Sequence, residues 1–401
     1  MPSVASRTRG FGGESAAAWD VHMAATRRAA RGEDILILSV GDPDFDTPDG
    51  IVRTAVDALR GGRTHYSETT GEPALRQAIA DRHRGTTGQE VTADNVVVLS
   101  GAQCGLFSTA MCVLEPGDEV ITLEPLYTTY PALIGATGAR MVAVPQDPDG
   151  GFRPEIGAIA EAVTERTRAI MINTPHNPTG VVFTREEVEA IAGLCRDRDL
   201  WLISDEVYGT LTFDRPHFAP AQLPDMADRV VTVSSLSKTY AMTGWRLGWV
   251  IAPQPLAAHI GNLALCMLYG CPPFVQDAAL HALTNDLPEL DAMRDELRRR
   301  RDLVYDRLAA VPGIACMKPE GSMFMLIDIR RTGLTSLDFA TGLLDAENVS
   351  VLPCTAFGAV AEGYVRLSLS VAPERLAEAC DRLARFVAAC GTDGREAAVG
   401  A

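Results

Sequence analysis

Residues 230–250 read VVTVSSLSKTYAMTGWRLGWV. The β-branched run at the start predicts a strand, and that strand ends on Ser235, Ser237 and Lys238, with Arg246 one loop later. Hydroxyls, an amine and a guanidinium at the carboxyl end of a strand lie where open α/β sheets bind ligands. The stretch therefore predicts an α/β protein whose site sits on one sheet edge.

Outward from this strand the pattern repeats. VVVLSG (96–101), EVITL (119–123), RMVAV (140–144), RAIMIN (168–173), LWLISDE (200–206) and RLGWVIA (246–252) are short apolar runs, several of them separated by helical patterns. One of these, TREEVEAIAGLCRDRD (184–199), opens with Thr184 and Glu187 at capping-box spacing. Continuously apolar strands between helices are buried on both faces, which indicates a mostly parallel sheet. These residues predict a large α/β domain over 48–290. A charged helix, LPELDAMRDELRRRRDLVYDRLA (287–309), leads to strands around MFMLIDI (323–329) and YVRLSLS (364–370). They predict a smaller α/β domain over 291–401, joined by the N-terminal segment 1–47.

Composition narrows the function. The chain has 401 residues, 47% hydrophobic and 22% charged, the profile of a globular enzyme with a sizeable core. A net charge of -16 disfavours nucleic acid and anionic membranes, which reward basic clusters. Nine cysteines without CxxC spacing suggest neither a disulfide framework nor a bound metal. With no apolar signal core at the start and no membrane-length apolar run, the expectation is a cytoplasmic protein acting on small molecules.

Chemistry gathers after the strands. VVVLSG is followed by Ala102 and Gln103 opening a helix, where free N–H groups favour an anion. EVITL leads to Tyr127, RAIMIN to Asn177 in TPHNPTG, and LWLIS to Asp205 and Tyr208. Each has an ordinary reading taken singly: NPTG as a turn, Asp205 as a cap or ion-pair partner, the tyrosines as packing, Lys238 and Arg246 as solvated or paired charges. The conjunction is what defeats those readings. One ligand, pyridoxal 5'-phosphate, needs an amine for its aldehyde, a carboxylate for its ring nitrogen, donors for its phenolate oxygen, and a cation with hydroxyls for its phosphate.

At this point the sequence resembles the class I/II aminotransferases of fold type I. The signature S-x-S-K-x-x-x-x-x-G-x-R-x-G is matched from Ser235 to Gly248, and GDPDFDTP (41–48), HYSETTGEPALRQAIA (65–80), NPTG, DEVY and YVRLSLS extend the likeness along the chain. The resemblance implies a ping-pong transamination in which Lys238 forms a Schiff base with the cofactor and moves the substrate's proton, while Asp205 pairs with the pyridinium. It implies that Asn177 and Tyr208 donate to the phenolate oxygen and that Tyr127 stacks on the ring. The phosphate would meet the Ala102 and Gln103 N–H groups, Ser235, Ser237, Arg246 and, from the other subunit of a homodimer, Tyr66. Arg366 of YVRLSLS would grip the substrate carboxylate, with Asn177 and the Gly41 N–H beside it. Where relatives often carry Pro-Gly before x-x-Phe-Gly, Cys354 stands at the glycine, near the expected cleft mouth.

Several stretches, LSVGDPDFDTP, SGAQCGLF, AAAWD and NLALCMLYG among them, resemble family members that exchange the amino group of a guanidino amino acid such as arginine with a 2-oxo acid such as pyruvate. Glu14 and Asp20 are candidate carboxylates for such a side chain, with an exposed helical surface as their ordinary reading. A lyase or decarboxylase would keep every cofactor contact. Ser235-Leu-Ser-Lys238 also matches the S-x-x-K of serine acyl-transfer enzymes, which leaves Asp205, Tyr208 and Arg246 without work.

Overall fold

The computed structural model describes residues 2–5, 8 and 16–396. Its strands are β1 (Leu36–Ile37), β2 (Val96–Leu99), β3 (Glu119–Glu124), β4 (Arg140–Pro145), β5 (Thr167–Asn173), β6 (Trp201–Asp205), β7 (Val230–Ser235), β8 (Gly248–Ile251), β9 (Ala315–Cys316), β10 (Phe324–Asp328), β11 (Val349–Ser350), β12 (Leu352–Pro353) and β13 (Tyr364–Ser368). Seven of them form one sheet in the order β2-β8-β7-β6-β5-β3-β4. All pairs are parallel except those made by β8, which runs against both β2 and β7.

Alternation explains the unbroken apolar runs. In β2, Val97 and Leu99 enter one buried cluster while Val96 and Val98 enter another on the opposite face. In β5, Ala169 and Met171 face the first of these and Ile170 and Ile172 a third. A strand with helices over both faces has no side to leave polar. The helix Arg185–Asp197 begins as expected: Thr184 Oγ1 accepts from Glu187 N at 3.2 Å, and Thr184 N donates to Glu187 Oε2 at 2.7 Å. A cap of this kind is worth about 1 kcal/mol.

A second core gathers residues from both ends of the chain. Val21, Ala25, Leu36 and Leu38 bury against Val304 and Leu308 of the helix Pro288–Leu308, Phe339 and Leu343 of the helix Ser336–Glu347, and Leu376 and Leu383 of the helix Pro373–Glu396. The antiparallel sheet β12-β13-β10-β9 completes it, and β1 pairs in parallel with β11 more than 300 residues away. No helix among the described residues is long and apolar enough to cross a membrane.

Strand parity decides which side chains reach the site. Register sets Asn173 beside Asp205 and Asp205 beside Val233. Asp205 lies two residues after Ile203, so it faces the same side, the one covered by Leu106 and Ala110 of the helix Ala102–Val113. The loop after β7 follows on that edge, with Lys238 in it.

Candidate active site

A cavity of about 360 Å³ opens at this edge, within the range of small-ligand sites. It is lined by Gly41, Ala102, Gln103, Tyr127, Asn177, Asp205, Tyr208, Ser235, Ser237, Lys238, Arg246 and Arg366. Every expected cofactor and α-carboxylate residue except Tyr66 is therefore in one chamber. Tyr66 is 85% exposed, against the Tyr269 ring in a separate depression.

Lys238 Nζ donates to the Gly41 carbonyl at 2.6 Å. Burial disfavours its charged form and lowers its pKa to about 8. Lys238 as a whole residue is partly exposed, whereas Asp205 is buried, and desolvation raises the Asp205 carboxyl to about 6. Opposing this, Tyr130 donates its hydroxyl to Asp205 Oδ2 at 2.8 Å, and Val207 N reaches Oδ1 at 3.4 Å. Asn173 Nδ2 donates to the Asp205 carbonyl at 2.9 Å, and Asn173 Oδ1 accepts from Asn177 N at 2.8 Å. One amide thus ties the ends of β5 and β6 to the NPTG loop.

Arg366 crosses from β13 into the chamber. Its Nη1 donates to Asn177 Oδ1 at 2.8 Å and its Nη2 to the Ser39 carbonyl at 3.0 Å. The guanidinium lies 3.9 Å from the Phe324 ring centroid and 4.9 Å from that of Phe357. Its Nε is buried with no partner among the described residues, and burial lowers its pKa to about 10, so it stays charged at neutral pH. A buried cation with an idle donor suits a carboxylate. Tyr208 is buried edge-on to Phe324 at 6.1 Å, and desolvation holds its phenol protonated.

At the other end, Arg246 adopts φ 53°, a left-handed conformation that L-residues avoid at a cost of about 1–2 kcal/mol. Its Nη1 donates to the Thr243 carbonyl at 2.8 Å, and a Cβ on Gly101 would fall 2.6 Å from its Nη2. The guanidinium therefore lies against the first turn of the helix Ala102–Val113. A Cβ on Gly248 would meet Ala102 N, Gly101 C and Ser234 O, each at 2.7 Å. Only glycines let the strand, helix start and arginine close this cradle, which fits a phosphate. With the amine of Lys238 and the buried carboxylate of Asp205, the donor set fits pyridoxal 5'-phosphate.

Sequence reasoning missed Tyr130 and Asn173. Tyr130 opens a short helix, Tyr130–Gly135, three residues past Tyr127, and that one-turn spacing in YTTY was the available signal. Glu14 lies outside the described residues. Asp20 is exposed and does not line the cavity; its neighbour Trp19 does. Cys354 is also corrected: it is fully buried, not at a mouth, and its thiol pKa is raised by desolvation. The S-x-x-K reading finds no support in the geometry, since Lys238 Nζ bonds to Gly41 while Ser235 Oγ accepts from Ser237 N at 3.3 Å.

The family model for aminotransferase class I and II matches residues 33–383. Arginine–pyruvate transaminase AruH of Pseudomonas aeruginosa is 55% identical over 377 residues, 94% of this chain and 96% of that protein. Aspartate/prephenate aminotransferase of Thermus thermophilus is 36% identical over 360 residues, 89% of this chain and 92% of its own length. The solved structure of Thermus thermophilus aspartate aminotransferase with maleate superimposes with a TM-score of 0.91 at 34% identity, covering 96% of this chain and all of the other. These relatives are all named as amino-group transferases, which leaves the lyase and decarboxylase readings unsupported. The seven-stranded, mostly parallel sheet with its smaller companions, the amine and carboxylate in one chamber and the family match together make this chain a member of the class I/II aminotransferases, enzymes that depend on pyridoxal 5'-phosphate.

Proposed function

We propose that this enzyme moves the amino group between an L-amino acid with a guanidino side chain, such as arginine, and a 2-oxo acid such as pyruvate. The observation that carries the reading is the 55% identity, over nearly the whole chain, to a transaminase named for those two substrates.

Pyridoxal 5'-phosphate supplies, when bound, an aldehyde that captures amines and a ring that draws electrons from the captured α-carbon. In this reading Lys238 holds it covalently. With a pKa near 8 in the buried site, Nζ is close enough to neutrality to take the substrate's α-proton and return it. Asp205, braced by Tyr130, keeps the ring nitrogen protonated. Tyr127 packs on the ring, and Asn177 and Tyr208, whose side chains lie within hydrogen-bonding reach of each other, donate to its oxygen, while Asn177 Oδ1 serves Arg366. The Ala102 and Gln103 N–H groups, Ser235, Ser237 and Arg246 hold the phosphate. Arg366 and the Gly41 N–H take the substrate's α-carboxylate, and Arg366 has its idle Nε for the purpose.

The reading includes a cytoplasmic homodimer. Tyr66, Tyr269, Met111 and Leu265 are large side chains 41–85% exposed, and a second copy would cover them while the partner subunit's Tyr66 reached the phosphate. It also includes a large unit over 48–290 and a smaller one over 291–401 with the segment 1–47, supported by the separate core shared by both chain ends. The test is a panel of amino donors with pyruvate, scored by alanine formed. Arginine or a close guanidino analogue should lead the panel; turnover of other donors with none from guanidino compounds would remove the substrate assignment while keeping the reaction.

A further inference from the structure

We infer that Trp19 and Asp42 form the subsite that reads the substrate's guanidinium, an inference that rests on the substrate class proposed above. The charges lining the cavity are three cations, Lys238, Arg246 and Arg366, and two carboxylates, Asp205 and Asp42. The first four are committed to the cofactor and the α-carboxylate. Asp42 is the remaining charge, and it is exposed at the cavity's rim. Its Oδ1 accepts from Thr243 Oγ1 at 2.6 Å, which fixes the carboxylate, and its charge also acts on the Lys238 amine, favouring the protonated form.

Its place along the chain gives the right reach. The Ser39 carbonyl accepts from Arg366 and the Gly41 carbonyl from Lys238, so the strip 39–41 passes the two groups that handle the α-carboxylate and the amine. Asp42 comes next, no more than about 10 Å beyond Ser39 even if the strip were fully extended. An extended arginine, held by its carboxylate at Arg366, has a span of that order. Among the lining rings, Tyr127 packs on Tyr130, Tyr208 on Phe324, and Phe324 and Phe357 on Arg366, whereas Trp19 packs on its edge partner His22 and is assigned no cofactor or α-carboxylate contact. It is anchored to the same strip, since its indole meets the His22 ring edge-on at 5.7 Å and His22 Nδ1 lies 2.9 Å from Ser39 Oγ. A planar cation stacked on an indole and paired with a carboxylate is well matched, whereas an acidic side chain would be repelled.

The experiment compares the holoenzyme with Asp42→Asn and Trp19→Leu. The first readout is the ratio of kcat/KM for L-arginine to that for L-norvaline, which shares the aliphatic stem. The second is calorimetric binding of 5-guanidinopentanoate relative to pentanoate, which needs no turnover. Each substitution should lower both ratios by about twofold to fivefold, as expected for an exposed ion pair or cation–π contact. Equal losses with both donors would assign these residues to structure or to Lys238 and overturn the inference, as would ratios that do not move. A wild-type enzyme inactive with arginine and other guanidino donors would instead refute the substrate class on which the subsite depends.

Discussion

Asp205 in the cofactor-free protein is a carboxylate held at a cost, and Asp205→Asn should expose that cost. The gap between about 6 in the fold and the ordinary 3.8 corresponds to about 3 kcal/mol at about 1.4 kcal/mol per pH unit. Because the folded-state value is raised, the native state binds the proton more tightly than the unfolded chain, and stability falls as pH rises from about 4 to 6. Above that window the whole penalty is present. Asn is nearly isosteric, still accepts from Tyr130, and carries no charge to desolvate. The cofactor-free variant should therefore be more stable than the parent by up to about 3 kcal/mol at pH 7 and by only about 0.5 kcal/mol at pH 4. Urea unfolding of both proteins, stripped of cofactor, across that range gives the difference directly. With cofactor bound the order should reverse, because the neutral amide leaves the pyridinium without its counter-charge, a loss of about 3–5 kcal/mol for a buried pair. An advantage that is absent at pH 7, or the same at pH 4 and pH 7, would refute the reasoning.

Tyr130→Phe removes a hydrogen bond to an ionised carboxylate worth about 1.5–3 kcal/mol, so retention of the cofactor should weaken by about tenfold or more; unchanged affinity in a spectroscopic titration would remove Tyr130 from the site. In the cofactor-free protein, burial lowers the Lys238 amine, so its labelling by an acylating reagent should rise through about pH 8, and a midpoint near 10 by peptide mass spectrometry would contradict the partly buried placement. Gly248→Ala forces a Cβ to 2.7 Å from three backbone atoms that cannot swing aside, so stability should fall by at least about 1–3 kcal/mol together with cofactor affinity; a wild-type melt and wild-type affinity would show that the cradle has room.

The sequence carried the large sheet and its edge because the physics there is local. A strand buried on both faces must be apolar throughout, so its end is marked by the first polar residues, and those residues are the ones at the site. Asn177, Asp205, Ser235 and Lys238 could be found this way, since Asp205 and Ser235 end their strands and Asn177 and Lys238 come within a few residues of a strand end. Tyr130 could not, because its role depends on a hydroxyl meeting a carboxylate 75 residues away, and nothing in YTTYP states which tyrosine turns inward. Arg366 stood out only through the family resemblance. Its strand, β13, lies in the four-stranded sheet, and only the folded chain shows it reaching Asn177.

The N-terminal helix shows most clearly where pattern reading runs out. Ala16–Ala30 is rich in alanine, so few large side chains mark its buried face, and the choice between Trp19 and Asp20 cannot be made from periodicity. Adjacent helical positions point about 100° apart, so placing one in the cavity sends the other toward solvent. The choice is settled elsewhere: Val21 and Ala25 bury in the core shared by the chain's two ends, and His22 is fixed near Ser39, which in turn holds Arg366. With those positions set, Trp19 is the residue of this helix that lines the chamber among the described side chains. In the proposed reading the carboxylate for the guanidinium comes from the strip that follows β1, where Asp42 sits one residue past the carbonyl that receives Lys238. The same contacts that close the second core thus decide which side chain meets the substrate.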